Sequence, residues 1–330
     1  MQRFTIFLFL AVLTIGSSSD SRPRSPSRRV QLVPRFVQGM TLRYRIETRA
    51  SSNVRVTTPI TNPEGGSQFQ QTTSFLVRLD VLAAPPAQGE PGPVRFRATF
   101  EKSHAMSETD AFAPEADSLV TAIDNLERHS VEFTLGSAGQ LSDIKGLEQV
   151  STDPAAAERV LSWTSVLSSE GSFPKSGIEI GQKWNTERPL TGLPLTGLIW
   201  RAESSYLRNE PCAVSAAASD SGGAAVGGQG CAVILTRFEI SRHGSERSDA
   251  TPENYIRNGL RTSGRWTGSG ESLNSVSLAD GFLVSSTQTA TQDLDYEIVS
   301  ASSGSRVRHA GQTKTQTEIT LVPSPPRSAS

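Results

Sequence analysis

Apolar and polar residues alternate one by one in several stretches of this chain, and this period of two constrains the fold most strongly. Every second residue is apolar from Met40 to Ile46 and again from Val94 to Phe100, with arginine, threonine or other polar residues between. Successive side chains of a strand point to opposite faces of a sheet, so each stretch predicts a strand with one buried face. The pattern is typical of an antiparallel sheet that is wet on one side. Further strands are expected over 75–81, 131–135, 141–145, 200–207, 231–240, 260–268, 272–278, 282–291, 294–298 and 313–322.

Two segments depart from this period and predict short amphipathic helices. Leu119, Val120, Ile123 and Leu126 recur at helical spacing within 117–128. Asp153-Pro154 supplies a capping residue and a first helical residue for a second helix over 154–168. We therefore expect a mainly β (α+β) protein: a large curved antiparallel sheet or half-barrel of about ten strands, with the two helices covering one face.

The connections between these elements are polar or rich in proline. A polar connection is expected over 59–71, and Asp280-Gly281 is a strong turn signal for a hairpin. The segment 176–198 is the least regular, and its prolines Pro189 and Pro194 exclude a central strand.

The only two cysteines, Cys212 and Cys231, flank a run of alanine, serine and glycine. The sequence on either side predicts the two strands of a long β-hairpin. Two cysteines cannot form a four-ligand zinc site, and a redox pair would more often be spaced as Cys-x-x-Cys. We expect a disulfide at the base of the hairpin and an oxidising compartment.

The first residues have the pattern of a secretory signal peptide, 1–19, with an apolar core from Phe4 to Ile15. This core is shorter than the roughly 20 residues that span a bilayer, although an uncleaved anchor is the alternative. We expect no transmembrane segment after cleavage, and a secreted or periplasmic protein. A disordered linker (20–32), a single β-rich domain (33–322) and a disordered tail (323–330) would follow. A division of the domain into two similar halves, 33–150 and 170–322, is left open.

Composition and motifs argue against several functions. The net charge of −1 gives no field that would attract nucleic acid. Gly-x-Ser-x-Gly, His-Glu-x-x-His and phosphate-loop motifs are absent from the sequence, and its four histidines are scattered. Asp293, Asp295 and Glu297 share one face of a strand, but a straight row does not wrap a calcium ion, so a solvated face is favoured. We expect no metal site, no cofactor and no enzymatic activity.

Three short motifs resemble a family of uncharacterised secreted bacterial β-rich proteins. They are Gly181-Gln182-Lys183-Trp184, the turn Asp280-Gly281-Phe282, and the strand from Gly39 to Tyr44. The resemblance covers most of 33–322, carries no catalytic residues, and departs from the family in having Gln182 where aspartate is usual. The strand order and paired helices also look like the lipoprotein-carrier folds (LolA/LppX-like). That likeness implies a curved sheet that wraps around helices and holds acyl chains.

Together these features predict a binding module of the cell envelope, with a lipid or another apolar small molecule between sheet and helices. The expected lining residues are Leu119, Ile123, Trp163, Trp184 and Trp200. One alternative is a structural or protein-interaction module with a fully packed core, and a hydrolase is the third.

Overall fold

The alternating stretches form eleven antiparallel strands in one open sheet. The computed structural model describes residues 29–58, 67–86, 92–109, 120–136, 141–147, 173–174, 176–190, 193–212, 230–245 and 248–323. The strands are β1 (Thr41–Thr57), β2 (Ser67–Ala83), β3 (Val94–Thr109), β4 (Ser130–Leu135), β5 (Leu141–Lys145), β6 (Lys183–Pro189), β7 (Leu198–Pro211), β8 (Gly230–Arg242), β9 (Leu260–Ser277), β10 (Leu283–Ser300) and β11 (Arg306–Leu321). The backbone is also helical over 120–124 and in Glu253–Arg257.

The strand order is β5-β4-β3-β2-β1-β11-β10-β9-β8-β7-β6. Strands β1 to β5 are therefore neighbours in sequence order, as are β6 to β11, and the two series meet where β1 pairs with β11. The predicted mainly β fold is confirmed. The first predicted helix is helical over 120–124, within the expected 117–128, while the second, 154–168, lies outside the described residues. All strands share one sheet, and the duplication of its halves stays a prediction.

Several strands extend beyond their predicted limits. β2 begins at Ser67, inside the expected polar connection 59–71, and β9 runs unbroken through Gly268 and Gly270. β6 was not predicted, because Pro189 argues against a central strand. The strand lies at an edge of the sheet and ends at Pro189, and proline is tolerated at such a position. Apart from Phe69 and Trp184 these residues are mostly polar or small, and pairing with neighbouring strands gives them an extended backbone that their own pattern does not predict.

The two faces of the sheet differ in chemistry. Leu42, Tyr44 and Ile46 of β1 are buried on one face, and Arg43 and Arg45 project from the other. We call these the apolar face and the charged face. A main cluster of buried side chains covers one end of the apolar face, drawn from β1–β4, from β7–β11 and from the helical segment.

An N-terminal strap, residues 29–40, crosses this main cluster. Its Leu32 is 1% exposed, and the Phe36 ring lies 5.0 Å from Phe96 and 5.2 Å from Phe282. Backbone hydrogen bonds between Val30 and Ile178 fix one end of the strap. The strap thus closes part of the core that the sheet leaves open.

The predicted disulfide is confirmed. Cys212 and Cys231 are joined, with their Cα atoms 5.0 Å apart, where β7 and β8 pair. The hairpin tip between them lies outside the described residues.

No helix among the described residues has the length and apolar character needed to cross a membrane.

Candidate ligand-binding face

A row of hydroxyl and amide side chains crosses the apolar face in register. Its members are Ser204, Thr236, Ser272, Gln288, Thr317, Thr48 and Thr73, one from each of seven adjacent strands. Two neighbouring pairs of the row bond to each other: the hydroxyl oxygens of Ser204 and Thr236 are 2.9 Å apart, and those of Thr48 and Thr317 are 3.2 Å apart. Such cross-strand bonds satisfy groups that would otherwise be costly to bury. On β1, β2 and β11, all buried side chains of the main cluster lie on one side of this row.

A second, smaller cluster lies beyond the row on β7 and β8. Leu198, Phe238 and Ile240 are buried there beneath Leu195 and Ala250 of the connecting loops. The glycine of β9 opposite Phe238 leaves room for the Phe238 ring, since a Cβ on Gly270 would lie 2.5 Å from the ring's Cζ. This part of the apolar face is therefore packed by the protein's own loops.

The remaining part of the apolar face, on β1, β2, β10 and β11, carries apolar side chains that belong to neither cluster. We call them the distal patch: Val54, Val56, Phe69, Leu294, Ile298 and Val307. The residues share one face because of the register, which places Gly311 between Leu294 and Val54 and pairs Ile298 with Val307. Five are half-buried, and Val56 is 40% exposed. Gly311 adds no side chain to the row it shares with Val54 and Leu294, so the patch has a gap at its middle.

Three stacked rings border the distal patch. Trp266 lies 5.9 Å from Tyr296, and Tyr296 lies 4.8 Å from His309, with 12° between the ring planes in each pair. Burial, and to a smaller extent Tyr255, raises the pKa of Tyr296 to about 12. The indole Nε1 of Trp266 is buried and has no hydrogen-bond partner among the described residues. An unpaired buried donor is costly, so this N–H is suited to an acceptor oxygen of a ligand.

The residues expected to line a ligand site are distributed over both clusters. Ile123 is 4% exposed in the main cluster, and Trp184 packs against the same cluster with its ring 5.9 Å from Phe173. Trp200 packs against the second cluster, 5.9 Å from Phe238, with the Arg188 guanidinium 4.7 Å above its ring. The remaining two, Leu119 and Trp163, lie outside the described residues. None of the three described residues belongs to the distal patch.

The charged face carries two shallow grooves of about 850 and 760 Å³. Cross-strand ion pairs cross the first, including Arg201 with Glu187 at 2.8 Å and Arg237 with Glu271 at 3.8 Å. These pairs are exposed to solvent and contribute little to stability.

The carboxylate triplet belongs to the second groove and to its border. Arg308 donates two hydrogen bonds to Asp295, at 2.8 and 2.9 Å, and these bonds lower the pKa of that carboxyl. Asp293 accepts a hydrogen bond from Gln312, and Glu297 lies 3.7 Å from Arg306. Each carboxylate of the triplet therefore has a partner side chain on β11, and the three belong to the charged face of the sheet. In the part of the chain that the structure describes, no group of three His, Cys, Asp or Glu side chains could hold a metal ion.

The histidines contact different neighbours. His104 lies 3.5 Å from Asp124, with both side chains largely exposed, and His243 lies 3.1 Å from Arg201. His129 contacts the carbonyl of Glu127.

No protein-family model matches the chain, and no curated protein matches it. The fold and its faces define a class of protein, an open antiparallel sheet with one apolar and one charged face.

Proposed function

We propose that the protein is a binding module of the cell envelope, secreted or periplasmic, that holds a lipid on the apolar face of its sheet. The distal patch is the observation that carries this proposal. Six apolar side chains lie together there and pack into neither cluster of the described residues. Burying such surface under a ligand contributes about 25 cal/mol for each Å² removed from water.

The dimensions of the patch suit an acyl chain. From Phe69 to the pair of Ile298 and Val307, the patch extends over about six residues of strand, or roughly 20 Å. One layer of acyl chains in a bilayer occupies about 15 Å, half of the hydrocarbon thickness. An acyl chain that lies along the strands therefore fits within the patch.

The polar groups beside the patch suit the head group of such a lipid. Ser52 and Thr313 lie next to Phe69 in register, with their hydroxyl oxygens 3.1 Å apart, and the unpaired indole N–H of Trp266 belongs to the row of Leu294. Hydroxyl and N–H donors of this kind bind ester or carboxylate oxygens. The disulfide suits the oxidising compartment in which envelope lipids are met.

A pair of matched substitutions tests the proposal. Leu294→Asp places a carboxylate in the distal patch, and Leu273→Asp places one on the charged face, where Leu273 is already 43% exposed. Titration with a fluorescent fatty acid should show at least tenfold weaker binding for Leu294→Asp, because a buried carboxylate opposes an apolar ligand. Leu273→Asp should bind as the unchanged protein does.

Native mass spectrometry of the protein purified from an envelope fraction supplies a second readout. The proposal predicts a co-purifying mass in the range of a lipid. A clean apo mass, together with no binding of the fluorescent probe, would refute it.

The structural or protein-interaction alternative has one observation in its favour. Ile123 of the helical segment and Leu126 of the turn that follows it are almost fully buried in the main cluster. A clean apo mass would therefore favour a module with a packed core.

A further inference from the structure

β6 forms a regular edge of the sheet, with half of its backbone groups directed away from β7. Tyr206 N–H donates to the Gln182 carbonyl at 3.0 Å, and Leu190 N–H donates to the Leu198 carbonyl at 2.9 Å. The register between them is unbroken, so the even-numbered residues of β6 bond to β7. Lys183, Asn185 and Glu187 therefore direct their N–H and C=O groups outward from the edge of the sheet. The side chains of all three are exposed.

The opposite edge of the sheet is blunted. β5 has only five residues, its pairing with β4 shifts register between Glu132 and Thr134, and Asp143 has a φ of +51°. Bulges and short strands are two of the devices by which proteins prevent pairing at a sheet edge, beside charged side chains and proline. β6 lacks the first two and carries its charges and a terminal Pro189 instead.

The charges of β6 are complementary to those of a second copy in one antiparallel register. If Asn185 lies on the two-fold axis, Lys183 faces Glu187 of the second copy, and all outward backbone groups of these residues meet partners. Within one chain Lys183 also pairs with Glu203 and Glu187 with Arg201, so the facing charges extend these cross-strand pairs. Centring the pair on Lys183 or on Glu187 would instead place like charges opposite each other, which is destabilising.

We infer that the protein forms a two-fold dimer by antiparallel pairing of β6 with β6 of a second copy, centred on Asn185. Three hydrogen-bonded residue pairs form, each exchanging both of its N–H···O bonds. A single strand edge buries less than the roughly 1,200 Å² of a stable interface, so association is concentration-dependent. The inference stands apart from ligand binding, since β6 contributes no residue to the distal patch.

The lysine and glutamate of β6 have a second interpretation, because edge charges also protect sheets from association. The two interpretations differ in what they predict. Protective charges give a monomer at every concentration, whereas complementary charges give a dimer that depends on one register.

Sedimentation of the chain without residues 1–19 tests the inference, over concentrations that resolve a Kd between about 1 µM and 1 mM. The unchanged protein should shift from monomer to dimer. Asn185→Pro should weaken dimerisation at least tenfold, because it removes the central outward N–H and leaves the bonds between β6 and β7 in place. A monomer at all concentrations would overturn the inference, as would a folded Asn185→Pro protein that dimerises like the unchanged one.

Cysteine cross-linking tests the register without a proline. In the proposed dimer the Cα atoms of two Asn185→Cys residues lie about 5.5 Å apart, within reach of a disulfide. Two Glu187→Cys residues lie four residues apart along the strands, at roughly 13 Å, and serve as the matched control. Rapid covalent dimerisation should be confined to Asn185→Cys. Equal cross-linking of both variants, or of neither, would contradict the register.

Discussion

Gly281 lies where the N-terminal strap crosses the turn between β9 and β10. Its φ is +69°, and a Cβ there would lie 2.3 Å from the carbonyl oxygen of Val33. The neighbouring Asp280 carbonyl accepts a hydrogen bond from the N–H of Arg35. The sequence predicts the turn from Asp280-Gly281, but the same glycine also lets the strap approach, and no local pattern indicates that second role.

We expect Gly281→Ala to destabilise the protein more than Gly304→Ala does. Gly304 has a similar φ of +66° but nothing within 4 Å of its Cβ position, so it reports backbone strain alone, about 1–2 kcal/mol. Gly281→Ala adds a collision with the strap backbone and should cost about 3 kcal/mol or more. Urea unfolding of both variants measures the difference. Equal losses of unfolding free energy in the two variants would show that the strap does not collide with a side chain at position 281.

The strands that the sequence predicts are those in which large apolar residues alternate with charged ones. β1 from Met40 to Ile46 and β3 from Val94 to Phe100 are examples, because burial of one face leaves a clear period of two. β6 and the beginning of β2 are mostly polar, with Trp184 and Phe69 as exceptions on the apolar face, and both segments are held extended by ladder bonds to their neighbours. Pairing between distant strands decides these segments, so their own composition does not indicate them.

The sequence does not predict the distal patch either, because pairing between distant strands brings its residues together. Val54 and Leu294 are 240 positions apart in the chain and share a row only through the register of β1 with β11 and of β11 with β10. The sequence pattern instead indicates tryptophans and residues of the predicted helices. Of these, Ile123, Trp184 and Trp200 pack against the two clusters.

The sequence predicts the disulfide directly, and we expect its removal to lower the stability of the protein. Cys212→Ser opens a loop with a sequence separation of 19 and should lower the free energy of unfolding by roughly 3 kcal/mol. Thermal unfolding checks this loss, with the reduced unchanged protein as control. Binding of the fluorescent fatty acid should persist, since neither cysteine belongs to the distal patch. Lost binding with an unchanged melting temperature would contradict both expectations.

The two series of strands meet along β1 and β11, and this seam holds the sheet together as a whole. Fourteen residue pairs join the two strands, from Tyr44 with Leu321 to Thr57 with Arg308. Tyr44 adds a link across the seam, because its buried hydroxyl donates to the carbonyl of Leu283 on β10 at 3.0 Å. Sequence alternation predicts both strands but not their pairing, since they lie at opposite ends of the chain.

Tyr44→Phe tests this link and has a pH dependence of defined sign. At neutral pH the variant should lose about 1–2 kcal/mol of unfolding free energy, because the Leu283 carbonyl is left buried without its donor.

Burial raises the pKa of the Tyr44 phenol far above the value of about 10 in an unfolded chain. The folded protein therefore keeps the proton above pH 10, where the unfolded chain releases it, so Tyr44's contribution to stability is present below pH 10 and declines above it. The difference in unfolding free energy between the unchanged protein and Tyr44→Phe should accordingly shrink as the pH rises from 10 to 11. At neutral pH, Tyr255→Phe, on the short helix Glu253–Arg257, is the control for replacing a tyrosine away from the seam. A difference that stays constant across this range would show that Tyr44 ionises as readily in the folded protein as in the unfolded chain.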